Sequence, residues 1–297
     1  QILDSEKVTL NSGHTLILTE DLEKYDLADS LNLIDLSMQE YDPATGKTST
    51  VACTVNWPYK AVTMYPGNIF VSPARYFAMA SGSVVLASDG SMYVGVYAMG
   101  FDADAATFAD ADTAYTMAGK TSVYMFKSTD CGRTWNYLDQ FCAPAASTVG
   151  FSEPDIIEMP DGSLFTLMRS GHTAPTYFSV SHNDGVTWSA PAQFDTCGVR
   201  PQLLGLDCGV TIATYGRPDL LVRTTDDPTG DSWNEHIVVP LVNTSQNYMQ
   251  KSCFYTGLLE IDENSAWLCY TDFQYPNANG IGVKSVILRK ITVTITE

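Results

Sequence analysis

The sequence is short of positive charge. Against 34 Asp and Glu it carries only 16 Lys and Arg over 297 residues, a formal net charge of −18. Nucleic-acid and anionic-membrane binders draw their affinity from basic patches, so neither kind of partner is expected. Long apolar runs are missing as well, and no stretch approaches the roughly 18 residues a membrane helix needs. Seven cysteines are present (53, 131, 142, 197, 208, 253 and 269), but there is no Cys-x-x-Cys pair and no histidine near them at metal spacing. No metal site and no cofactor is therefore expected. Helix signals are scarce, with EDLEKYDLADSLNLI (20–34) the only segment of sustained i, i+3, i+4 apolar spacing. Asn243-Thr244-Ser245 forms a glycosylation sequon. The acidic balance fits an exported protein, and the start at Gln1 rather than Met carries the expectation that a signal or tag has been removed.

Apolar residues make up 45% of the chain, enough to bury a core, and they are arranged in repeats. STDCGRTW (128–135), SHNDGVTW (181–188) and the stretched TTDDPTGDSW (224–233) each follow a strand-like run: VYMF, YFSV and LLVR. The spacing predicts a turn in which Asp and Ser/Thr side chains bond nearby backbone N–H groups while Gly takes a positive φ. Asp130, Asp184 and Asp227 are expected in that structural role, with the Trp packing between neighbouring sheets. A second repeat interleaves with the first. VVLASDGSMYVGVYAMG (84–100), IIEMPDGSLFTLMRSG (156–171), LLGLDCGVTIATYGRP (203–218) and LLEIDENSAWLCYTDF (258–273) each read as a β-hairpin about an Asp/Asn/Gly turn.

Hairpin, strand, octapeptide and strand recurring at intervals near 40–50 residues predict an all-β chain: one β-propeller domain over 1–297, with four-stranded antiparallel blades. Four blades are legible. Residues 1–74, around the turn DPATGKT (42–48), add one or two, so six blades are expected, and VILRKITVTITE (286–297) is a candidate closing strand. Eight residues after the turn aspartates come Tyr97, Arg169, Tyr215 and Tyr270, with Arg217 two further on. Repeat-equivalent positions share one rim, so Arg169, Arg217, Tyr215, His172 and the acidic loop FDADAATFADAD (101–112) are expected around one funnel. The chain has few arginines, and two at such positions suit a carboxylate or sulfate ligand held bidentately. The structural alternative pairs them with Glu153 or Asp219 as bridges.

The octapeptide resembles the Asp-box, or BNR, repeat of sialidase-type propellers, and residues 70–297 resemble that family more specifically. SEPDIIEMPDGSLFTLMR is similar to the segment in which a Glu opens a hairpin and an Arg ends it. The resemblance implies Glu153 as the base beside the nucleophile and Arg169 as a carboxylate binder. YGRPDLLVRTTDDPTGDSW implies Arg217 as a second binder, and SCFYTGLLEI implies Tyr255 as the nucleophile. Arg75, in SPARYFAMASGS, is the nearest match to the family's first arginine, although Tyr-Phe replaces its Ile-Pro; Arg200 in GVRPQLL is the alternative. The acid/base aspartate falls among Asp102, Asp104, Asp110 and Asp112, with Asp102 nearest the expected spacing.

The implied activity is exo-hydrolysis of a terminal carboxylated sugar, most simply by an exo-α-sialidase acting with retention. A neutral phenol activated by Glu153 avoids the repulsion that an anionic nucleophile would meet from the substrate carboxylate. Two alternatives stand beside it. One is a uronate-directed glycosidase or lyase, with His172 or Tyr215 as base, and the other is a non-catalytic carbohydrate-binding propeller.

Overall fold

The computed structural model describes residues 7–9, 15–20, 36–56, 59–61, 78–80, 83–98, 100–102, 121–141, 150–243 and 245–294. The helix candidate at 20–34 lies outside them, except that Glu20 ends a strand. Four N-terminal strands, β1 (Lys7–Thr9), β2 (Thr15–Glu20), β3 (Leu36–Asp42) and β4 (Lys47–Ala52), form an antiparallel sheet in sequence order. The turn between β3 and β4 is the one expected from DPATGKT. Asp42 accepts the Ala44 amide at 2.9 Å, and Gly46 takes φ 67°.

The next segment supplies β5 (Thr54–Asn56), β6 (Tyr59–Ala61), β7 (Ala78–Ala80), β8 (Val85–Leu86), β9 (Met92–Ala98), β10 (Gly100–Asp102), β11 (Ser122–Ser128) and β12 (Thr134–Phe141). Strands β7 and β8 both pair with β9, β9 with β11 and β11 with β12, all antiparallel, and β5 adds to β12 in parallel. β6 and β10 pair separately. Two four-stranded antiparallel sheets in sequence order follow. The first comprises β13 (Ser152–Glu158), β14 (Leu164–Arg169), β15 (Thr176–Ser181) and β16 (Ala192–Asp195). The second comprises β17 (Val199–Gly205), β18 (Thr211–Gly216), β19 (Leu220–Thr225) and β20 (Ile237–Val239). After one short helix, α1 (Tyr248–Lys251), the chain ends in a sheet of β21 (Gly257–Asp262), β22 (Ser265–Pro276) and β23 (Gly282–Thr292). The run 286–292, a candidate closing strand in sequence, lies in β23 and pairs with β22.

Apolar packing runs between consecutive sheets. Tyr93, Val123, Met125 and Phe141 of the β7–β12 sheet share a core with Ile156, Leu164 and Met168 of the next. Phe165, Leu167 and Phe194 pack on Leu203, Ala213 and Leu221 of the sheet after that, and Ile212, Leu220 and Val222 pack on Ala266 and Leu268 of the last. The β13–β16 and β17–β20 sheets thus bury both faces against their sequence neighbours, whereas the last sheet leaves Trp267, Val286 and Leu288 exposed. The first strands sit close together, β13 beside β17 and β17 beside β21. Burial on both faces explains why β14 and β18 read as continuous apolar runs rather than alternating ones.

The octapeptides are self-contained turns. Asp130 accepts from Ser128 Oγ and the Thr134 amide, both at 2.8 Å, and Gly132 has φ 77°. In the third copy Asp227 accepts the Thr229 and Ser232 amides at 2.9 and 3.0 Å. The second copy corrects the sequence expectation. Asn183 holds the equivalent place, bonding Ser181 Oγ at 3.1 Å and the Thr187 amide at 2.9 Å, while Asp184 takes φ 57° as Cys131 does at φ 58°. Asn and Asp present the same acceptor oxygen, so Asn-Asp here does what Asp-Cys does in the first copy. The tryptophans bridge sheets as expected: Trp188 lies edge-on to Phe141 at 5.4 Å, and Trp233 packs on Phe165 and Phe194 at 5.3 and 5.1 Å.

Candidate active site

The hairpins β13–β14 and β17–β18 open in the same unusual way. Glu153 has φ 46° and Arg200 φ 43°, each just before a proline and each within a bulge, between Ser152 and Asp155 or between Val199 and Gln202. A non-glycine residue in left-handed conformation is costly and persists where surrounding structure holds it, commonly at functional sites. The strain turns both residues toward the strand ends opposite the hairpin turns. Tyr255 arrives there from the segment ahead of β21, after Phe254, which is also left-handed at φ 64°.

These residues form one hydrogen-bonded cluster. Tyr255 donates its hydroxyl to Glu153 Oε1 at 2.8 Å, and Arg169 Nη1 donates to the same oxygen at 2.7 Å. The Arg200 backbone N–H donates to Oε2 at 2.9 Å, and its guanidinium lies 5.9 Å from the centre of the Tyr255 ring. Arg169 also donates from Nε to the Gly171 carbonyl at 2.9 Å and faces His172 Nδ1 from Nη2 at 3.2 Å. Arg217 Nη1 faces the same Nδ1 at 2.9 Å, while its Nη2 donates to the Cys253 carbonyl at 3.2 Å. Arg217 is 6% exposed and its Nε has no partner; its guanidinium lies 5.7 Å from the Tyr248 ring centre. No carboxylate pairs with Arg217 among the described residues.

The electrostatics follow from burial and neighbours. Burial alone would raise the Glu153 carboxyl, but the Arg169 charge and the hydrogen bonds from Arg169, Tyr255 and the Arg200 amide outweigh it, so the group stays below the usual glutamate range. Burial and then the Glu153 charge push the Tyr255 phenol up. Tyr255 therefore stays protonated at rest, with its hydroxyl proton directed at the ionised carboxylate it touches. Burial and the charges of Arg169 and Arg217 push His172 down, which favours a neutral ring. Tyr255 is 41% exposed, so the cluster of a phenol, a carboxylate and three guanidinium groups reaches solvent through its ring.

The sequence-predicted residues divide accordingly. Glu153, Arg169, Arg217, His172 and Tyr255 come together. Of the two structural bridges considered for the arginines, Arg169 does pair with Glu153, whereas Arg217 donates only its backbone amide to the Asp219 carbonyl at 2.8 Å. Asp102 ends β10, paired in register with Tyr59. Arg75, Asp104, Asp110 and Asp112 lie outside the described residues.

Tyr215 is a correction. It is fully buried, and its hydroxyl donates to Asp195 Oδ2 at 2.5 Å, away from the rim. The cause is a one-residue offset. The turn Met159–Ser163 closes with the Met159 amide on the Ser163 carbonyl, and Leu206–Val210 closes identically, so Asp161 corresponds to Cys208 rather than Asp207. Counting from Asp207 moves every position by one, and a shift of one residue changes the face. Gly216, not Tyr215, is therefore the counterpart of Arg169. A Cβ on Gly216 would lie 2.5 Å from Phe254 Cβ, so the neighbouring segment occupies that space.

Tyr248 and the carbonyls of Gly171 and Cys253 had no signal in the sequence. The parallel between SEPD and VRPQ did carry one, because a charged residue ahead of proline in two successive hairpins marks Arg200 as the partner position of Glu153. Asn243 of the sequon is 6% exposed, and its Nδ2 donates to the Gln250 carbonyl at 2.6 Å, which does not suit glycosylation. Among the described residues no group of three or more His, Cys, Asp or Glu is arranged to hold a metal ion.

Successive antiparallel sheets with charged side chains gathered at one set of strand ends define an all-β, sheet-repeat protein, and its solved neighbours include a polysaccharide lyase and an α-L-arabinofuranosidase. The chain belongs to the family of BNR repeat-like domains, whose model matches residues 67–277. A protein of unknown function from Dyadobacter fermentans DSM 18053 superposes with a TM-score of 0.66 at 15% identity, over 97% of this chain and 75% of that one. A PL25 ulvan lyase bound to -[GlcA(1-4)Rha3S]- gives 0.52 at 12%, over 98% and 69%. The α-L-arabinofuranosidase from Lactobacillus brevis gives 0.50 at 12%, over 95% and 88%. No curated protein matches. At these identities the likeness is one of fold.

Proposed function

We propose that the protein is an exo-acting glycoside hydrolase that removes a terminal carboxylated sugar from a glycan, with sialidase-type chemistry on a six-bladed propeller. The observation that carries this reading is the Tyr255 hydroxyl donating to Glu153 while Arg169 holds that carboxylate ionised. The Tyr255 oxygen attacks the anomeric carbon as Glu153 takes its proton. An acid, assigned to Asp102, protonates the departing glycosidic oxygen. Water then attacks the anomeric carbon, giving its proton to the same aspartate, now a carboxylate, while Glu153 returns its proton to the departing Tyr255 oxygen, and configuration is retained. Arg169, Arg217 and Arg200 receive the substrate carboxylate and orient the ring. Arg200 is preferred to Arg75 as the third cation because its backbone already bonds Glu153.

The lyase alternative needs a free Tyr or His base. In the unliganded protein His172 faces two guanidinium groups with Nδ1, which places its ring proton on Nε2, and Tyr215 is buried against Asp195. Before ligand binding both bases weighed for that reaction are thereby occupied, and Tyr215 has no route to the rim.

The test is hydrolysis of a fluorogenic α-sialoside by wild type beside Tyr255→Phe. Turnover lost in the variant is expected. An inactive wild type discards the sialidase reading, and release from uronate-capped glycans then decides between a different terminal sugar and a binding module. An unsaturated product would establish the lyase.

A further inference from the structure

Catalysis as proposed above assigns the two arginines to the substrate carboxylate and leaves His172 without a task. Its placement is specific all the same, because Nδ1 lies 3.2 Å from Arg169 Nη2 and 2.9 Å from Arg217 Nη1. We infer that the His172 imidazole is an internal placeholder: Nδ1 occupies the position between the two guanidinium groups that a carboxylate oxygen of the ligand takes, and the ligand displaces it. The inference rests on the reading of Arg169 and Arg217 as the carboxylate seat.

Three observations carry it. An imidazole nitrogen has a single in-plane lone pair and cannot align with two donors at once, whereas each carboxylate oxygen has two lone pairs and carries charge. Exchanging the ring for a carboxylate therefore improves both contacts. Second, Arg217 is nine-tenths buried with Nε unbonded and no carboxylate beside it among the described residues, so its charge is uncompensated until an anion arrives. Third, His172 is exposed and can leave by side-chain rotation. Its loop is fixed below it, where Ser170 Oγ donates to the Pro175 carbonyl at 2.5 Å.

The charged groups facing the ring are Arg169 and Arg217, with Glu153 behind Arg169, and all act on its protonation. An imidazolium cannot accept a hydrogen bond and is repelled by both arginines. Lowering the pH therefore vacates the seat, whereas a histidine that merely spaced the arginines would lose them.

The experiment is calorimetric binding of free N-acetylneuraminate and of D-glucuronate to wild type, His172→Ala, His172→Gln and Arg217→Gln, needing no turnover. We expect His172→Ala to bind about fivefold more tightly, the scale of one neutral hydrogen bond no longer in competition. The glutamine carbonyl restores an acceptor, so His172→Gln should return to the wild-type value. Because burial and the two arginines push His172 down, wild-type affinity should rise toward that of His172→Ala only as the pH falls below the range in which an ordinary histidine titrates, while the alanine variant stays flat. Weaker or unchanged binding by His172→Ala, with binding abolished in Arg217→Gln, overturns the placeholder and leaves the seat intact. If neither sugar binds wild type or His172→Ala, the seat itself fails and the placeholder with it.

Discussion

Hairpins β13–β14 and β17–β18 share a bulge at the same place, a left-handed residue ahead of a proline, and turns closed by the same pair of backbone hydrogen bonds. Their side chains diverge where the backbone agrees. The left-handed position holds Glu153 in one and Arg200 in the other. The end of the second strand holds Arg169 in one and Gly216 in the other. One step past the proline, Asp155 is 1% exposed and accepts the Ser83 and Leu203 amides, both at 2.6 Å, while Gln202 donates only to its neighbour Pro201. The repeat supplies an identical frame, and the departures from it supply the charge. Each sheet alone offers half a site, and Tyr255 from the segment leading into the next sheet completes it.

If the left-handed positions have separate tasks, equal substitutions must have unequal effects. Glu153→Gln keeps shape and removes the base, so kcat should fall on the order of 10³-fold with little change in KM, as when a nucleophile loses its base. Arg200→Gln keeps the backbone donor and loses only a guanidinium, and about tenfold in kcat/KM is expected, near the value of one charged contact. Equal losses at the two positions would mean that both are structural.

The step past the proline sharpens the comparison in stability. Asp155→Ala strands the buried Leu203 amide of β17 and the half-buried Ser83 amide ahead of β8, and should cost about 3 kcal/mol, since an unsatisfied buried donor costs ~1–3 kcal/mol. Gln202→Ala breaks one short-range bond and should cost about 1 kcal/mol. Urea unfolding of the two variants checks the ratio. A smaller third effect is expected at the strand end. Gly216→Ala sets a methyl 2.5 Å from Phe254 Cβ and 2.8 Å from its carbonyl oxygen, which forces the segment bearing Tyr255 to shift. Activity should drop about tenfold or more, since misplacement by an ångström costs rate steeply. The melting temperature should move less than in Asp155→Ala.

Much of the frame was legible because it is local. The DG turns, the octapeptides and the apolar runs bond within a few residues, and their spacing alone implies sheet after sheet. Glu153, Arg169, Arg217 and Tyr255 were legible because the motifs around them are distinctive. Tyr215 was misplaced because Asp207-Cys208-Gly209 puts its aspartate one position earlier in the turn than Asp161 is, and period-two geometry turns that single step into the opposite face. Asn183 was missed for the converse reason, since an amide next to an acid hides which of the two accepts. The contacts of His172 were not legible at all. Its partners converge from residues 169 and 217, and nothing in the local spacing records how far apart two strand ends stand.

The last contrast is between the joints on either side of β17–β20. On one side Asp195 ends β16 and reaches into the next sheet, accepting from Tyr215 and lying 2.8 Å from His236 Nδ1. On the other, the buried polar link is neutral, Thr214 to Thr256 at 2.8 Å. Burial alone would raise the Asp195 carboxyl, but the bonds from Tyr215, the Thr196 amide and His236 outweigh it and hold the group below the usual aspartate range. A carboxyl depressed in the folded state stabilises the fold above its unfolded pKa, and that contribution is lost as pH falls through the folded value. Asp155, raised by burial, has the opposite sign: its contribution is lost as pH rises toward its folded value. Asp195 and Asp155 therefore make opposed contributions to the wild-type acid profile, and His236→Ala isolates the first. Removing His236 lessens the depression of Asp195, so stability at neutral pH should fall by about 1 kcal/mol, the scale of one hydrogen bond. The gap between variant and wild type should close as the solution is acidified below the aspartate range, because protonated Asp195 gains little from His236. Thr256→Val, altering the neutral joint, should shift the melting temperature equally at every pH. A pH-dependent gap in the threonine variant, or a constant one in His236→Ala, would mean that the two joints do not differ in the way their side chains indicate.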